Sequence, residues 1–394
     1  MFAILSTIRK PLRLLMLPVF AVLLAACDPA MMGNTGTAGG PRIDPAAPVA
    51  MALLVPRGGS ASDDLLAKNL ENAARLAIRD LDGVSIDLRV YGTAGRSDMA
   101  ATAAAQAVAD GAKIILGPVY GEAANAAGVA VAASGVNVLS FSNNTTIAGG
   151  NVFVLGPTFD TTAARLVGYA KRQGKDRIVV LHANDIGGQL ARNAIQRAIS
   201  ANGATMAGDV DYALSQEGVR NAVPRVRATI EASGANALFM TANSATALPL
   251  LADMLPSAGI TNATTQYVGL SRWDIPAQTL AIPGVQGGWF ALPDPGASAA
   301  FAAQYAAAYG ERPLDIAGLA FDGVAAVASL AKSGRANALT GAALTQGAGF
   351  RGASGIFRLR ADGTNERGLA VATVRNNQVV LLDAAPQSFG GAGF

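Results

Sequence analysis

The residues best suited to chemistry in this chain are its single cysteine, Cys27, and its single histidine, His182. One residue of each kind cannot build a Cys/His metal site, and a lone cysteine cannot form a disulfide bond within the chain. The sequence also contains no G-x-S-x-G elbow, no phosphate-binding P-loop and no H-E-x-x-H motif. We therefore expect no metal, no cofactor and no enzymatic activity, and these features favour recognition without a reaction.

Cys27 follows a segment with the anatomy of an export signal. Three basic side chains lie at positions 9, 10 and 13, and the apolar run 14–24 comes next. As a helix that run rises about 16 Å, well short of the roughly 30 Å of a bilayer core. The sequence LAAC at 24–27 resembles the lipobox of bacterial lipoproteins, which implies that residues 1–26 are a lipoprotein signal peptide and that Cys27 is acylated. An ordinary signal peptide with an incidental cysteine is the alternative.

The formal charge of the chain after the signal is close to zero. The signal contains three of the 30 basic side chains and none of the 27 acidic ones, so 27 of each sign remain. We therefore expect no nucleic-acid partner. Residues 27–48 are rich in Gly, Pro and Ala, which is typical of a flexible tether behind the lipid anchor.

These features predict a periplasmic protein that touches the membrane through its lipid alone. Asp28 resembles an inner-membrane retention signal of enteric bacteria. Sorting rules differ between bacteria, so the sequence leaves the inner and outer membranes open.

Apolar runs and helical periodicity alternate from Val49 onwards. The run VAMALLV (49–55) predicts a buried strand, and Leu70, Ala73 and Ala77 share one face of the helix that follows. The order β-α-β-α-β-α-β extends to about residue 144, and a second unit of the same kind begins at 161. Ala-rich helices and two strands around the turn Asn376-Asn377 end the chain. The fold class is α/β, with two doubly wound parallel-sheet lobes.

Three stretches resemble the type I periplasmic binding proteins of the Leu/Ile/Val-binding kind. They are KIILGPVY to VNVLSFSNN (113–144), FAAQYAAAYGERPLDIAGLAFDGVAAVASL (301–330) and GIFRLRADGTNERGLAVATV (355–374). The resemblance covers about 49–383 and implies two lobes that close over a ligand about three hinge crossovers.

The resemblance also implies where the lobes exchange chain. We place the crossovers near 155–158, 289–296 and 345–354. Lobe I would comprise 49–156 with 292–346, lobe II would comprise 157–291 with 347–385, and 386–394 would be a disordered tail.

In this family the ligand lies between the lobes, at the carboxyl ends of the strands. The residues predicted to line this cleft for a ligand or partner are Arg57, Gly117, Tyr120, Ser140, Ser142, Asn143, Asn144, His182, Asp185, Asn243, Ser244, Ser271, Arg272 and Trp273.

Several of these residues have a second interpretation. Asp185 is a helix cap or a ligand group, and Tyr120 and Trp273 are cleft walls or core residues. Arg57 and Arg272 meet an anion or only solvent. His182 is mainly interpreted as a neutral structural residue, with a cleft contact or catalysis as the alternatives.

The family's amino-acid binders hold their ligand with Ser and Thr of the first lobe and with aromatic and acidic side chains of the second. Here Asp185-Ile186-Gly187 stands where Asp-Tyr-Gly is expected, and Asn243-Ser244 stands where an aromatic pair is expected. Burying an ammonium group costs hydration free energy, and without a carboxylate or an aromatic face no new interaction offsets this cost. The departure argues against a common amino acid as the ligand.

One subfamily resemblance points elsewhere. The segments ILGPVY, GVNVLSFSNN and NVFVLGPTFDTTAARLVGYA are similar to the binding-protein-like domain of lipoproteins that activate penicillin-binding proteins. The resemblance implies a module that regulates peptidoglycan synthesis by contacting a penicillin-binding protein or another cell-wall synthase. The alternative is the solute-binding receptor of an ABC-type importer for a small polar ligand, an amino acid or a related molecule.

Overall fold

The computed structural model describes residues 41–390. The predicted signal peptide, Cys27 and most of the predicted tether lie outside the described residues. The end of the tether differs from the prediction, because Ile43 is buried in the core of the first lobe and its N–H donates to the Ala336 carbonyl oxygen at 2.8 Å. Burial of a large apolar side chain offsets the entropy lost by ordering it. The folded body therefore begins near residue 43 rather than 49.

The first lobe is built around a parallel sheet, as predicted, and this sheet has five strands rather than the four that the sequence predicts. Its strands are β1 (Val49–Val55), β2 (Ile86–Gly92), β3 (Ile114–Leu116), β4 (Asn137–Ser140) and β5 (Val152–Val154), in the order β2-β1-β3-β4-β5. The helices between them are α1 (Ala61–Arg79), α2 (Ser97–Ala109) and α3 (Gly121–Val131). The central strands β3 and β4 are buried along their whole length; β3 is apolar throughout, whereas β4 begins and ends with the buried polar residues Asn137 and Ser140.

The second lobe repeats this alternation after the first crossover. Its first strands are β6 (Arg177–Ala183), β7 (Thr205–Tyr212), β8 (Ala237–Met240), β9 (Gln266–Gly269) and β10 (Trp289–Pro293). Its helices are α4 (Phe159–Arg172), α5 (Ile186–Ala201), α6 (Gln216–Ser233) and α7 (Leu248–Ser257). These five strands run parallel to one another. The sequence patterns do not predict β7.

The chain then returns to the first lobe through α8 (Pro295–Tyr309), α9 (Gly318–Ala331) and α10 (Gly341–Leu344). A small antiparallel sheet follows, formed by β11 (Phe350–Gly352), β12 (Gly355–Leu359) and β13 (Asn365–Arg367). Phe350 and Phe357 are buried in the core of the first lobe. The predicted start of the last second-lobe segment at 347 is therefore wrong, and the third crossover lies at Gly368 instead of 345–354.

The second-lobe sheet is completed by β14 (Leu369–Arg375) and β15 (Gln378–Asp383). The full order is β15-β14-β10-β9-β8-β6-β7, with β14 antiparallel to both of its neighbours, so this sheet is mixed rather than purely parallel. The predicted turn at Asn376 and Asn377 joins the last two strands with φ angles of 51° and 61°. Positive φ at both positions is what a tight two-residue hairpin requires.

The start of the predicted disordered tail lies against the body. Gln387 Nε2 donates to Asp294 Oδ2 at 2.7 Å, and Arg351 Nη2 donates to the Gln387 carbonyl oxygen at 3.1 Å. Gln387 is thus ordered, which corrects the predicted disorder at this position. Within residues 41–390, no helix combines the length and the apolar character that a membrane span needs.

Candidate functional site

The carboxyl ends of the parallel strands in both sheets lie beside the crossovers. β5 leaves the first-lobe sheet and enters the first crossover, and β10 leaves the second-lobe sheet and enters the second. β1 to β4 run parallel to β5, and β6 to β9 run parallel to β10. Their carboxyl ends therefore form two edges at the hinge end of the lobes. The predicted site residues divide between these edges, which we call the lobe I edge and the lobe II edge.

Gly117 fixes the turn after β3 at the lobe I edge. Its φ is +84°, and a Cβ atom there would lie 2.2 Å from the Leu54 carbonyl oxygen, so a larger residue does not fit. Ser140 is fully buried, and its Oγ donates to the Pro118 carbonyl oxygen at 3.0 Å. Gly117 and Ser140 therefore shape this edge without offering polar groups to a ligand.

Tyr120 stands at the start of α3 with 43% of its surface exposed. Its phenol donates a hydrogen bond to Asp63 Oδ1 in the first turn of α1. This bond is the main reason that the pKa of Asp63 lies below its ordinary value and that the pKa of Tyr120 lies above. The ring also covers Gly95, where a Cβ atom would lie 2.9 Å from Cε2. Of its two interpretations, Tyr120 fits the exposed wall rather than the core.

Ser142, Asn143 and Asn144 form the loop after β4. Ser142 Oγ accepts from the Asn144 N–H at 3.1 Å, and Asn144 Oδ1 accepts from the Thr146 N–H at 3.0 Å, so both side chains hold the loop. The side chain of Asn143 is exposed and makes no hydrogen bond within residues 41–390. Asn143 is therefore the member of this loop whose whole amide group is left without a partner in the described residues.

The start of α3 lies next to that loop. A Cβ atom at Gly121 would lie 3.2 Å from Asn144 Nδ2 and 3.5 Å from Ser142 Oγ. α3 begins without a side-chain cap, so the N–H groups of its first turn are left for water or a ligand. The helix start and the loop thus form one polar surface at the lobe I edge.

Arg57 is engaged with α1. Its guanidinium pairs with Glu71 at 2.6 Å, and Arg75 pairs with the same carboxylate at 2.8 Å. This placement fits the solvated-surface interpretation of Arg57 rather than contact with an anion.

His182 and Asp185 both have structural partners at the lobe II edge. His182 is buried, its Nδ1 donates to the Ala183 carbonyl oxygen at 2.8 Å, and its Nε2 lies 3.2 Å from Asp209 Oδ1. Asp185 caps α5 by accepting from the Gly188 N–H at 2.6 Å. The cap interpretation of Asp185 agrees with the structure, and His182 occupies a structural position.

The loops after β8 and β9 are joined to each other. Ser244 Oγ donates to the Ile275 carbonyl oxygen at 2.9 Å, and Ser271 Oγ donates to the Ala242 carbonyl oxygen at 3.0 Å. Asn243 Oδ1 accepts from the Ala245 N–H at 3.0 Å. The hydroxyls of both serines and the Asn243 carbonyl oxygen therefore stabilise the loops themselves.

Arg272 and Trp273 follow β9, and both have partners within the second lobe. Arg272 Nε donates to Asp274 Oδ1 at 2.9 Å. Trp273 is fully buried, stacks on Phe290 with ring centroids 6.3 Å apart, and packs so tightly on Gly269 that a Cβ atom there would lie 2.3 Å from the ring. Trp273 is therefore a core residue, and the prediction of a cleft contact for it is wrong.

The lobe II edge exposes large apolar side chains beside polar ones such as Asn184 and Asn243. Ile186, the first residue of α5, is 78% exposed, and Leu214 and Ile275 are 52% and 44% exposed. Sequence reasoning noted Ile186 as a departure from the family pattern but included none of the three in the site. The feature of the sequence that could have indicated Ile186 is its position immediately after the cap residue Asp185, between the carboxyl end of β6 and α5.

The aspartates of the lobe II edge already have partners. Asp185 caps α5, and Asp274 pairs with Arg272. Asp211 Oδ1 accepts from Arg225 Nη2 at 2.7 Å, and Asp209 Oδ2 accepts from Arg192 Nε at 2.9 Å. An ammonium group at this edge would therefore have to compete with guanidinium groups or backbone N–H groups.

A separate groove of about 620 Å³ lies between α4, α5 and the 360–367 segment and contains none of the predicted site residues. Its exposed guanidiniums are paired: Arg197 with Asp160, Arg172 with Asp383 and Arg360 with Glu366. Residues 41–390 also contain no cluster of three or more His, Cys, Asp or Glu side chains that could hold a metal ion. The two edges therefore remain the candidate site.

Known proteins of similar sequence and structure agree with this arrangement. The family model described as periplasmic binding protein matches residues 48–378. A search of curated proteins found no significant match.

Solved structures match over nearly the whole chain. A putative branched-chain amino acid ABC transporter protein from Rhodospirillum rubrum has 17% identity and a TM-score of 0.72, covering 85% of this chain and 100% of its own. An ABC transporter substrate-binding protein from Desulfitobacterium hafniense in complex with Leu has 19% identity and a TM-score of 0.61, covering 85% and 100%. A solute-binding protein from Rhodopseudomonas palustris in complex with 3,4-dihydroxybenzoic acid has 18% identity and a TM-score of 0.56, covering 86% and 98%.

These likenesses are below 25% identity and establish the fold alone. The family model covers most of the chain, including both lobes, the three crossovers and the two strand-end edges. The chain therefore belongs to the periplasmic binding protein family.

Proposed function

We propose that this chain is the solute-binding component of an ABC-type importer and that it captures a small molecule between the lobe I and lobe II edges. The observation that carries the proposal is the contrast between these edges. One offers uncapped N–H groups and a free amide, and the other offers exposed apolar side chains. A ligand with a hydrogen-bonding end and an apolar body would satisfy both.

The engaged aspartates of the lobe II edge support a ligand without an ammonium group. Burying an ammonium beside Ile186 and Ile275, with Asp185 and Asp274 already bonded, would cost hydration without a replacement partner. We therefore propose an aliphatic or aromatic carboxylate as the ligand class. The Rhodopseudomonas palustris relative, whose structure contains an aromatic acid, agrees with this class.

Capture would proceed by closure of the lobes. The carboxylate would bind first at the start of α3, where the N–H groups of the first turn have no side-chain partner. Rotation of the second lobe would then bring Ile186 and Ile275 onto the apolar body and exclude water from it. No covalent step is involved.

The predicted export signal and acylated Cys27 support a location at the periplasmic face of a membrane. A lipid-held receptor would stay close to its permease while its lobes opened and closed. Mass spectrometry of the chain isolated from bacterial membranes tests this directly. A diacylated Cys27 as the first residue is expected, and an unmodified cysteine would contradict the anchor.

Regulation of a cell-wall synthase is the second candidate. It is favoured by the resemblance of residues 115–120, 135–144 and 151–170 to synthase-activating lipoproteins and by the departure from the amino-acid clamp at the lobe II edge. The solved structures described above are components of solute transport instead, which is why we place import first.

A thermal-shift panel on the full chain separates the two candidates. Matched pairs such as 4-methylpentanoate with leucine, and 3-phenylpropanoate with phenylalanine, differ mainly by the ammonium group. A carboxylate present at a hundredfold excess over its Kd should stabilise the folded state by about 2.7 kcal/mol, whereas the amino acid should not. Failure of every small molecule, together with retention of a penicillin-binding protein in a pull-down, would support the second candidate.

A further inference from the structure

The first and third crossovers meet at one buried guanidinium, that of Arg367. Arg367 ends β13 and is only 6% exposed. Its Nε and Nη2 donate to the Leu155 carbonyl oxygen in the first crossover at 3.0 and 2.6 Å. Its Nη1 donates to Asp322 Oδ2 at 2.8 Å and to Ser354 Oγ at 3.2 Å. The first and third crossovers are thereby fixed to each other.

These contacts all lie on the first-lobe side of the hinge. Asp322 is a fully buried residue of α9, and its Oδ1 accepts from the Ala353 N–H at 2.7 Å. The Arg367 guanidinium also lies over the Phe357 ring, which belongs to the first-lobe core. Breaking a buried ion pair leaves an uncompensated charge, so this arrangement resists displacement. The third crossover is therefore held to the first lobe up to Arg367.

A second buried arginine holds the same crossover from the other side. Arg165 lies on α4 of the second lobe, and its side chain is 7% exposed. Its Nε donates to the Leu369 carbonyl oxygen at 2.6 Å, and its Nη2 donates to the Ala384 carbonyl oxygen at 3.0 Å. Leu369 is the first residue of β14, so the chain belongs to the second lobe from this point.

Gly368 is the residue left between the two arginines. The Gly368 N–H donates to the Ile356 carbonyl oxygen, on the first-lobe side, at 2.9 Å. The carbonyl oxygen of the next residue, Leu369, accepts from Arg165 on the second-lobe side. A backbone rotation that moves one lobe against the other can therefore be absorbed at Gly368. Glycine has the widest range of backbone angles for such a change.

The other two crossovers change lobe close to this point. In the first crossover, the Gly156 carbonyl oxygen accepts from Asn365 Nδ2 of the first lobe at 2.8 Å. Thr158 caps α4 of the second lobe, so Pro157 is the residue between the lobes. In the second, Pro293 pairs with Leu369 in the second-lobe sheet. The next residue, Asp294, donates its N–H to the Ser354 carbonyl oxygen at 3.1 Å on the first-lobe side and caps α8.

We infer that Arg367 and Arg165 set the axis of lobe rotation, by confining the backbone change to Gly368 and to the adjoining junctions at Pro157 and Pro293. They are positioning residues, because both act on the crossovers and neither belongs to the two edges. The inference rests on the proposed closure of the lobes but not on the identity of the ligand.

The test measures the distance between the lobes in the absence of any ligand. Spin labels would be placed on cysteines substituted for the exposed residues Val129 in the first lobe and Arg220 in the second, in the full chain carrying Cys27→Ser. Double electron–electron resonance then gives the distribution of interlobe distances. We expect Arg367→Met and Arg165→Met each to shift and widen this distribution.

Arg358→Met is the matched control, because Arg358 lies on β12 and pairs with Glu366 without contacting a crossover. It should leave the distribution unchanged. If Arg367→Met does not fold, the double variant Arg367→Met with Asp322→Asn removes both buried charges and is expected to widen the distribution in the same way.

An unchanged distribution in folded arginine variants would overturn the inference, and so would equal widening in the control. The interlobe distances of the arginine variants and of the control are all measured without a ligand. The hinge inference and the proposed function can therefore fail separately.

Discussion

The lobe I and lobe II edges occupy equivalent places in two similar sheets but differ in what they leave exposed. At the lobe I edge, Asn143 and the start of α3 offer hydrogen-bonding groups. At the lobe II edge, the hydroxyls of Ser244 and Ser271 bond to the loops, and the apolar side chains of Ile186 and Ile275 are exposed. The difference indicates that the two lobes recognise opposite ends of a ligand, so a variant in one lobe should not imitate a variant in the other.

Trp273→Ala gives the largest expected effect and separates a core aromatic from an exposed one. Trp273 is fully buried against Phe290, so its removal should lower the free energy of unfolding by about 3–5 kcal/mol. Tyr120→Ala, at an exposed position, should cost about 1 kcal/mol or less. Urea unfolding measures both. Equal losses would show that the two aromatics are not as different as the structure indicates.

Gly117→Ala tests whether the lobe I edge depends on its turn. The new Cβ atom would lie 2.2 Å from a backbone oxygen at a φ of +84°, and we expect a loss of roughly 2 kcal/mol beyond that of the control. The control is Gly259→Ala, because Gly259 has a φ of +81° but no atom within 4 Å of the added Cβ. Urea unfolding measures the loss of unfolding free energy in both variants. Identical losses would show that the close contact at Gly117 does not destabilise its variant.

Much of this fold could be predicted from the sequence because its central strands are apolar runs. β1 and β3 are such runs, and Asn376-Asn377 marks its hairpin by residue type. β7 was missed because Gly208, Asp209 and Asp211 interrupt its apolar pattern at the edge of the sheet. The third crossover was misplaced because the sequence did not show that Phe357 packs in the first lobe.

The candidate site was less predictable than the fold. Strand ends could be located, but whether a side chain faces a ligand or its own loop depends on its rotamer and neighbours. Ser244 and Asp185 are the right residue types for binding, yet both are bonded locally. Ile186 is the wrong type for a polar clamp, yet it is one of the open side chains.

Ile186→Asp should weaken ligand capture without loss of stability. Because the side chain is 78% exposed, the free energy of unfolding should change by no more than about 0.5 kcal/mol. A carboxylate next to the bound ligand should raise Kd about tenfold, which corresponds to about 1.4 kcal/mol. Leu381→Asp on β15, 49% exposed and away from both edges, is the control for an added surface charge. An equal change in Kd for the two variants would contradict a role for Ile186.

Tyr120→Phe gives the smallest effect and concerns the lobe I edge alone. Loss of the phenol removes the main cause that lowers the pKa of Asp63, so this pKa should rise toward its ordinary value. Because the pKa of Asp63 is lower in the folded state, the carboxylate stabilises the folded state at pH values above the ordinary pKa. This contribution is lost as the pH falls through the lowered pKa. The variant should therefore lose less stability than the wild type on acidification. NMR titration of Asp63 in both proteins measures the shift, and an unchanged pKa would show that the hydrogen bond is not formed in solution.

Calorimetric titration of the full chain with 4-methylpentanoate and with leucine tests the central claim most directly. The two ligands share the carboxylate and the isobutyl group, so their difference isolates the ammonium group. The proposed contrast between the two edges predicts saturable binding of 4-methylpentanoate and at least tenfold weaker binding of leucine. Leucine binding as tightly as the carboxylate, or neither ligand binding, would contradict it.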